Sequence, residues 1–196
     1  ENVPKEMYVE FLMDINSEVD RMTDIINDLL TLVRMNREEV HLNPMEINLT
    51  DMISDIVRRL EPIAKSKNIN LNYNKLKAVK AEIEETKFSL AVSNLIENAI
   101  KYNNDGGNVE VTVDADNQNA FVTIADDGVG IAEEELGKIF DRFYRVDKNR
   151  DRESGGTGLG LSIARSAVLM HNGTIKVSSK ENEGTTFVII IPLKQE

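Results

Sequence analysis

Residues 94–102 read Asn94-Leu95-Ile96-Glu97-Asn98-Ala99-Ile100-Lys101-Tyr102. They close a helix predicted from about Thr86 to Tyr102, with Phe88, Val92, Leu95, Ile96 and Ala99 as its apolar face. Asn94, Asn98 and Lys101 stand at i, i+4 and i+7, one stripe on the opposite side. A solvated stripe normally uses Glu, Lys or Gln, which are better helix formers than Asn. An Asn carbonyl is a neutral oxygen ligand for a hard cation, and Mg2+ commonly takes one or two protein ligands beside phosphates and water. Lys101 would add a point charge for a phosphate. Taken alone, the cluster is equally well described as a surface face with two incidental Asn residues.

Three further clusters lie downstream. Asp126-Asp127-Gly128-Val129-Gly130-Ile131 follows a predicted strand directly. Glycines there let the backbone turn tightly and approach a flat ligand closely. A carboxylate at a strand end can accept from an exocyclic amine such as that of adenine; a plain Asp-Gly turn is the competing description. Gly155-Gly156-Thr157-Gly158-Leu159-Gly160-Leu161 opens a helix, where free N–H groups and the positive dipole end favour phosphate. It is neither a Walker A loop, lacking Gly-Lys-Ser/Thr, nor a Rossmann fingerprint, which would follow the first strand. Between the two, Phe140-Asp141-Arg142-Phe143-Tyr144-Arg145 begins a polar loop that collects Arg142, Arg145, Lys148, Arg150 and Arg152. Asp141, Asp147, Asp151 and Glu153 nearly balance them, as in a solvated mixed-charge loop. A loop carrying Arg beside phosphate-facing glycines could also close over a nucleotide. Core packing is the expected job of Phe140, Phe143 and Tyr144.

Upstream, the chain divides at about residue 42. Leu12, Ile15, Val19, Met22, Ile26, Leu29 and Val33 alternate spacings of three and four, an a/d heptad seam. Phe11, Ile25, Leu30 and Leu32 widen the stripe, as a helical bundle needs. No second heptad helix occurs in the chain, so the bundle partners are expected to be other chains or a missing segment; a helix lying on its own domain is the competing description. Pro44 disfavours helix at Asn43 and marks the start of a compact domain. There the pattern predicts a strand over 45–49, a helix capped by Asn48 or Thr50, strands over 69–73 and 79–83, and the helix already described. A hairpin over 109–113 and 120–124, a helix over 158–170 and a closing hairpin over 174–177 and 185–192 follow. This mixture predicts an α+β sandwich, a sheet with helices on one face.

Composition narrows the function classes. The 196 residues carry 34 acidic and 23 basic side chains, a net charge of −11, which argues against nucleic acid as main partner. There is no cysteine, so disulfide scaffolds, thiolate zinc sites and cysteine nucleophiles are excluded. Two histidines leave little for a histidine-rich metal centre. No stretch approaches ~20 consecutive apolar residues. The chain opens Glu1-Asn2-Val3-Pro4, without Met, and is expected to be a piece of something longer.

In this order the four clusters resemble the N, G1, F and G2 boxes of bacterial sensor histidine kinases. The matching residues are 94–102, Asp126 to Gly130, Phe140 to Arg145 and Gly156 to Leu161, with Gly184-Thr185-Thr186-Phe187 fitting the family's last hairpin. Phe140 to Lys148 also looks like the cell-wall-sensing WalK/VicK subgroup. The resemblance implies a Bergerat-type sandwich, shared with gyrase, Hsp90 and MutL, preceded by a long coiled-coil-like helix. Residues 1–42 would be the second helix of the dimerisation hairpin plus linker, and 43–196 the catalytic ATP-binding domain. It further implies ATP and Mg2+ as ligands, with Asn98 holding the metal. Asn94, Lys101 and Arg145 would act on the phosphates. Tyr102, Asp126, Gly128, Gly130, Ile131, Phe140 and Thr185 would contact the nucleotide, as would Gly156, Thr157, Gly158, Leu159, Gly160 and Leu161. Implied partners are ATP or ADP, a response regulator and, in the intact parent, a second copy, with no nucleic acid and no membrane contact by this piece. The implied location is cytoplasmic, on a parent anchored in the bacterial cytoplasmic membrane.

One departure stands out. The family's phosphoacceptor His lies in a His-Glu/Asp-x-x-Thr/Ser-Pro context, which neither His41 nor His171 has. The chain is therefore expected to lack the acceptor and not to phosphorylate itself. Three rivals share the fold class. A clamp ATPase of the gyrase or Hsp90 kind places a water-activating Glu one turn before the metal-binding Asn; that position is Asn94, and Glu97 lies about 100° around the helix from Asn98. An anti-sigma-factor serine kinase would lack the preceding heptad helix. A non-enzymatic nucleotide-binding remnant would not keep every box filled.

Overall fold

A computed structural model describes residues 4–35, 42–146 and 156–195 of the chain. After the long helix α1 (Lys5–Met35) come β1 (Met45–Asn48), α2 (Leu49–Ser66), β2 (Asn70–Lys75), β3 (Lys80–Ile83) and α3 (Glu85–Lys101). β4 (Asn108–Ala115), β5 (Asn119–Asp126), α4 (Gly160–Met170), β6 (Thr174–Lys180) and β7 (Gly184–Pro192) complete the fold. Five strands form one sheet in the order β2-β4-β5-β7-β6, and β1 pairs with β3 in a separate ribbon. β4–β5 and β6–β7 are the two antiparallel hairpins expected from the short polar turns between them. β2 runs parallel to β4, which the intervening β3 and α3 make possible.

The core follows from the alternation. Val109, Val111 and Val113 of β4 are buried while Glu110 and Asp114 are exposed. Ile53, Ile56 and Leu60 of α2, Phe88, Val92, Leu95 and Ile96 of α3, and Ile163 and Ala167 of α4 share the same buried cluster. Each large apolar side chain so removed from water contributes roughly 1.5–3 kcal/mol. Asn48 is the α2 cap: its side chain accepts from the N–H groups of Thr50 and Asp51. Thr50 instead ties α2 to the segment leading into β3, donating to Lys77 O at 3.1 Å and accepting from the Val79 N–H at 3.0 Å.

α1 carries two stripes. The heptad residues Leu12, Ile15, Val19, Met22, Ile26, Leu29 and Val33 are all exposed. Arg21, Ile25, Asp28, Leu32 and Met35 repeat at the same spacing about 130° around the helix. Leu32 and Met35 of this second stripe are buried in the core cluster, at the end of α1 that meets α4. Ile25 and Leu32 therefore do not widen the seam as the pattern predicts; they belong to a different face. Among the described residues no helix is long and apolar enough to cross a membrane.

His171 staples the helix layer together. It is fully buried at the C-terminal end of α4; its Nδ1–H donates to Ala167 O (2.7 Å) and its Nε2 accepts from the Glu84 N–H (3.0 Å), just before α3. That bonding needs the neutral ring, and burial lowers its pKa from the ordinary 6.5. The unfolded chain then binds a proton the folded chain refuses. His171's contribution to stability is full above 6.5 and is lost as pH falls below it, until the folded ring itself protonates. Urea midpoints taken from pH 7.5 down to 5 should fall more steeply for the wild type than for His171→Gln; parallel curves would rule the staple out.

Candidate functional site

The C-terminal half of α3 is the floor of the site. Asn94 and Asn98 are half-buried on its outer face, and Lys101 ends it. The Asn94 Nδ2 is buried with no hydrogen-bond partner among the described residues. The Asn98 side chain also makes no hydrogen bond among them, while its backbone carbonyl accepts from the Tyr102 N–H at 3.0 Å. Buried polar groups are as a rule hydrogen-bonded, so the unpartnered Asn94 Nδ2 is an exception in this fold.

The Gly-rich loop lies on this floor. A Cβ on Gly156 would come within 2.3 Å of Lys101 Nζ and 3.5 Å of the Tyr102 hydroxyl, and one on Gly160 within 3.5 Å of Asn94 Oδ1. The loop is tied to the Phe140–Arg145 segment by the Phe143 N–H, which donates to Gly158 O at 3.0 Å. Lys101 Nζ sits over the Tyr102 ring, 5.1 Å from its centroid. Burial, then the charges of Arg145 and Lys67, push the Lys101 pKa down to about 8. Arg145 is thus close enough for its charge to be felt here, as it also is at Tyr102.

Asp126 ends β5 opposite Thr185 of β7. Its Oδ1 accepts from the Gly128 N–H (3.0 Å) and the Thr185 N–H (3.2 Å), and no bond to Oδ2 occurs among the described residues. Burial pushes its pKa up to about 6 against those two bonds. Gly128 packs so tightly on the Tyr102 carbonyl that a Cβ would lie 2.5 Å from that oxygen, while the Val129 N–H donates to it at 3.1 Å. Tyr102 therefore joins the carboxylate end of the site to the glycine loop.

Not every expected residue lines this region. Gly130 packs against the β6–β7 turn, where a Cβ would lie 2.0 Å from Lys180 O, so backbone packing accounts for it. The Ile131 N–H donates to Ser179 Oγ (2.8 Å) behind Thr185, whose hydroxyl contacts the same Oγ. Phe140 packs edge-on to Phe187 and under Arg165, the core role expected of it. Leu159 is fully buried and Leu161 packs on the core, leaving at most their backbone to a ligand. Phe143, expected in the core, is instead exposed, with φ +62, because its backbone follows the Gly158 contact. Lys148, Arg150, Arg152, Gly155 and His41 lie outside the described residues. A residue the pattern did not single out is Asp28 of α1, whose Oδ2 accepts from Thr157 Oγ1 at 2.7 Å. Counting the α1 stripe from Leu32 rather than from Leu29 would have found it.

Comparison with known proteins agrees with this layout. Residues 83–195 match the sequence profile "Histidine kinase-, DNA gyrase B-, and HSP90-like ATPase". The sensor histidine kinase WalK of Bacillus subtilis (strain 168) is 36% identical over 195 residues, 98% of this chain but 32% of WalK. The chain thus spans about a third of that relative's length. The catalytic domain of the histidine kinase ThkA superposes with a TM-score of 0.69 at 28% identity, covering 78% of this chain and 97% of that one. ThkA in complex with the response regulator protein TrrA shares the fold over 98% of this chain and 53% of its own, with a TM-score of 0.78 at 24% identity.

Proposed function

The chain belongs to the histidine kinase-, DNA gyrase B- and HSP90-like ATPase family, and from that premise we propose that it is the ATP-binding catalytic part of a sensor histidine kinase. It transfers the γ-phosphoryl group of ATP to a His on the dimerisation domain, for relay to an Asp of a response regulator. The observation that carries this reading is the glycine loop lying on Asn94 and Lys101, with the unsatisfied Asn94 Nδ2 beneath it.

The roles follow from the chemistry of each group. Asp126 offers its remaining oxygen to the adenine amine, held in aim by Gly128 and Thr185. Tyr102 lines the base, and Gly128, by lacking a side chain, lets the turn after Asp126 pack on the Tyr102 carbonyl. Lys101 and Arg145 answer the phosphate charge; a phosphate beside Lys101 restores the proton that burial makes labile. Asn98 would hold Mg2+ through its carbonyl oxygen, and Asn94 would steady the phosphates beside it. Bound Mg2+ supplies neutralisation of charge on the phosphate oxygens. Where a clamp ATPase needs a Glu to activate water, this helix has Asn94, so the phosphoryl group is kept for a protein acceptor.

That acceptor lies elsewhere. His171 has both ring nitrogens engaged in the core and cannot take a phosphoryl group. His41 also lacks the acceptor sequence context, so the chain alone is expected not to autophosphorylate. Residues 1–42 serve as the second helix of the dimerisation hairpin plus linker, and 43–196 as the catalytic unit. The exposed α1 seam supports dimerisation in the whole protein, whose membrane anchor would lie outside this chain.

Calorimetric titration with ATP and GTP, with Mg2+ and with chelator, tests the nucleotide assignment. GTP places a carbonyl where ATP has the amine, so it should bind about 100-fold more weakly. Chelation should weaken ATP about tenfold. Equal affinity for ATP and GTP would refute the role of Asp126.

A further inference from the structure

Thr157 does two things at once. Its Oγ1 accepts from the Leu159 N–H at 3.2 Å and donates to Asp28 Oδ2 at 2.7 Å, across 129 residues of chain. The hydroxyl thus folds the glycine loop on itself and fastens it to α1. Asp28 is partly buried on the second stripe of α1, one turn before the buried Leu32. The loop lies directly against the side chains that a phosphate would use. A Cβ on Gly156 would come to 2.3 Å from Lys101 Nζ, and one on Gly160 to 3.5 Å from Asn94 Oδ1, an ordinary van der Waals contact. A polyphosphate that inserts between the loop and these two side chains displaces the loop, and that displacement stretches the bond to Asp28. Charge acts in the same direction, since a carboxylate beside the loop repels an entering polyanion.

We propose that Asp28 is a positioning residue: it clasps the glycine loop to α1 through Thr157, and the phosphates of a nucleoside triphosphate open the clasp on entering. Nucleotide occupancy then controls a polar tie between α1 and the sandwich, beside the apolar one made by the buried Leu32 and Met35. The inference rests on the nucleotide reading above, and its test separates the two.

Asn at position 28 keeps an acceptor oxygen without the charge; Ala keeps neither. Amide exchange of residues 156–161 is measured in the ligand-free wild type, Asp28→Asn and Asp28→Ala. Affinities for Mg-ATP and for adenosine are measured on the same samples. Loop exchange should quicken about tenfold in Asp28→Ala and stay near wild type in Asp28→Asn, a rescue that a merely structural role of the charge would not give. Mg-ATP should bind about 3–10-fold more tightly to Asp28→Ala, while adenosine, lacking phosphates, binds all three alike. Unchanged loop exchange in Asp28→Ala, unchanged Mg-ATP affinity, or an equal gain for adenosine each overturns the clasp. A wild type that binds neither ligand would sink the nucleotide reading instead, and the ligand-free exchange would still decide the clasp.

Discussion

Asp126→Asn should weaken ATP binding by about 100-fold and, at the same time, stabilise the ligand-free protein. Both effects come from one carboxylate. The Gly128 and Thr185 N–H groups hold Oδ1, and an Asn that keeps those bonds must turn its NH2 outward. A donor then faces the adenine amine where an acceptor stood. Losing a bond to a charged group and leaving two donors opposed costs about 3 kcal/mol, or 100-fold. The stability effect has the opposite sign. With a folded pKa of about 6 against an ordinary 3.8, Asp126 penalises the fold increasingly as pH rises through that interval, and fully above it. Asn removes the penalty. After allowance for partial solvent exposure this is about 1 kcal/mol, a rise of roughly 3–4 °C in melting temperature at pH 7.5. At pH 4 the two proteins should melt nearly together. A mutant that melts lower than the wild type at pH 7.5 would show that the carboxylate supports the fold rather than the ligand.

Asn98→Ala should abolish phosphoryl transfer, at least about 1000-fold, without harming the fold. The Asn98 side chain has no hydrogen-bond partner among the described residues, so truncation strands nothing. Ala is the better helix former by up to ~0.7 kcal/mol, so α3 should be slightly more stable. The loss should appear only with metal present: ATP affinity in chelator stays as in the wild type, and the gain on adding Mg2+ disappears. A mutant that retains the Mg2+ gain would move the metal ligand elsewhere.

These two residues were legible because their neighbours in sequence are also their neighbours in space. Asn94, Asn98 and Lys101 share one helix face, and Asp126, Gly128 and Val129 share one strand end. The hairpins were readable for the same reason, each being closed by a short turn. Long-range pairing was not. Nothing in Asn70 to Lys75 tells that its partner strand begins at Asn108, or that it runs parallel. His171 reads as an unremarkable helix end because its partner Glu84 lies 87 residues away. The Gly-Leu-Gly-Leu run reads as a phosphate-facing helix start, yet Leu159 is a core residue, because α4 begins at once and its first turn faces inward. On α1 the seven heptad positions are so regular that they mask the second stripe, and with it Asp28. Periodicity reveals that a face is apolar, not which of two partners it meets.

The decisive measurement mixes this chain with a separately made acceptor-helix segment of its parent and γ-labelled ATP, and follows acid-labile, base-stable label on the segment. Label is expected on the acceptor, none on this chain, and none with Asn98→Ala. Absence of label from the wild type, with Mg2+-dependent ATP binding and the complex with the acceptor both confirmed, would contradict a histidine kinase role and return the site to the other ATP-binding classes of the family.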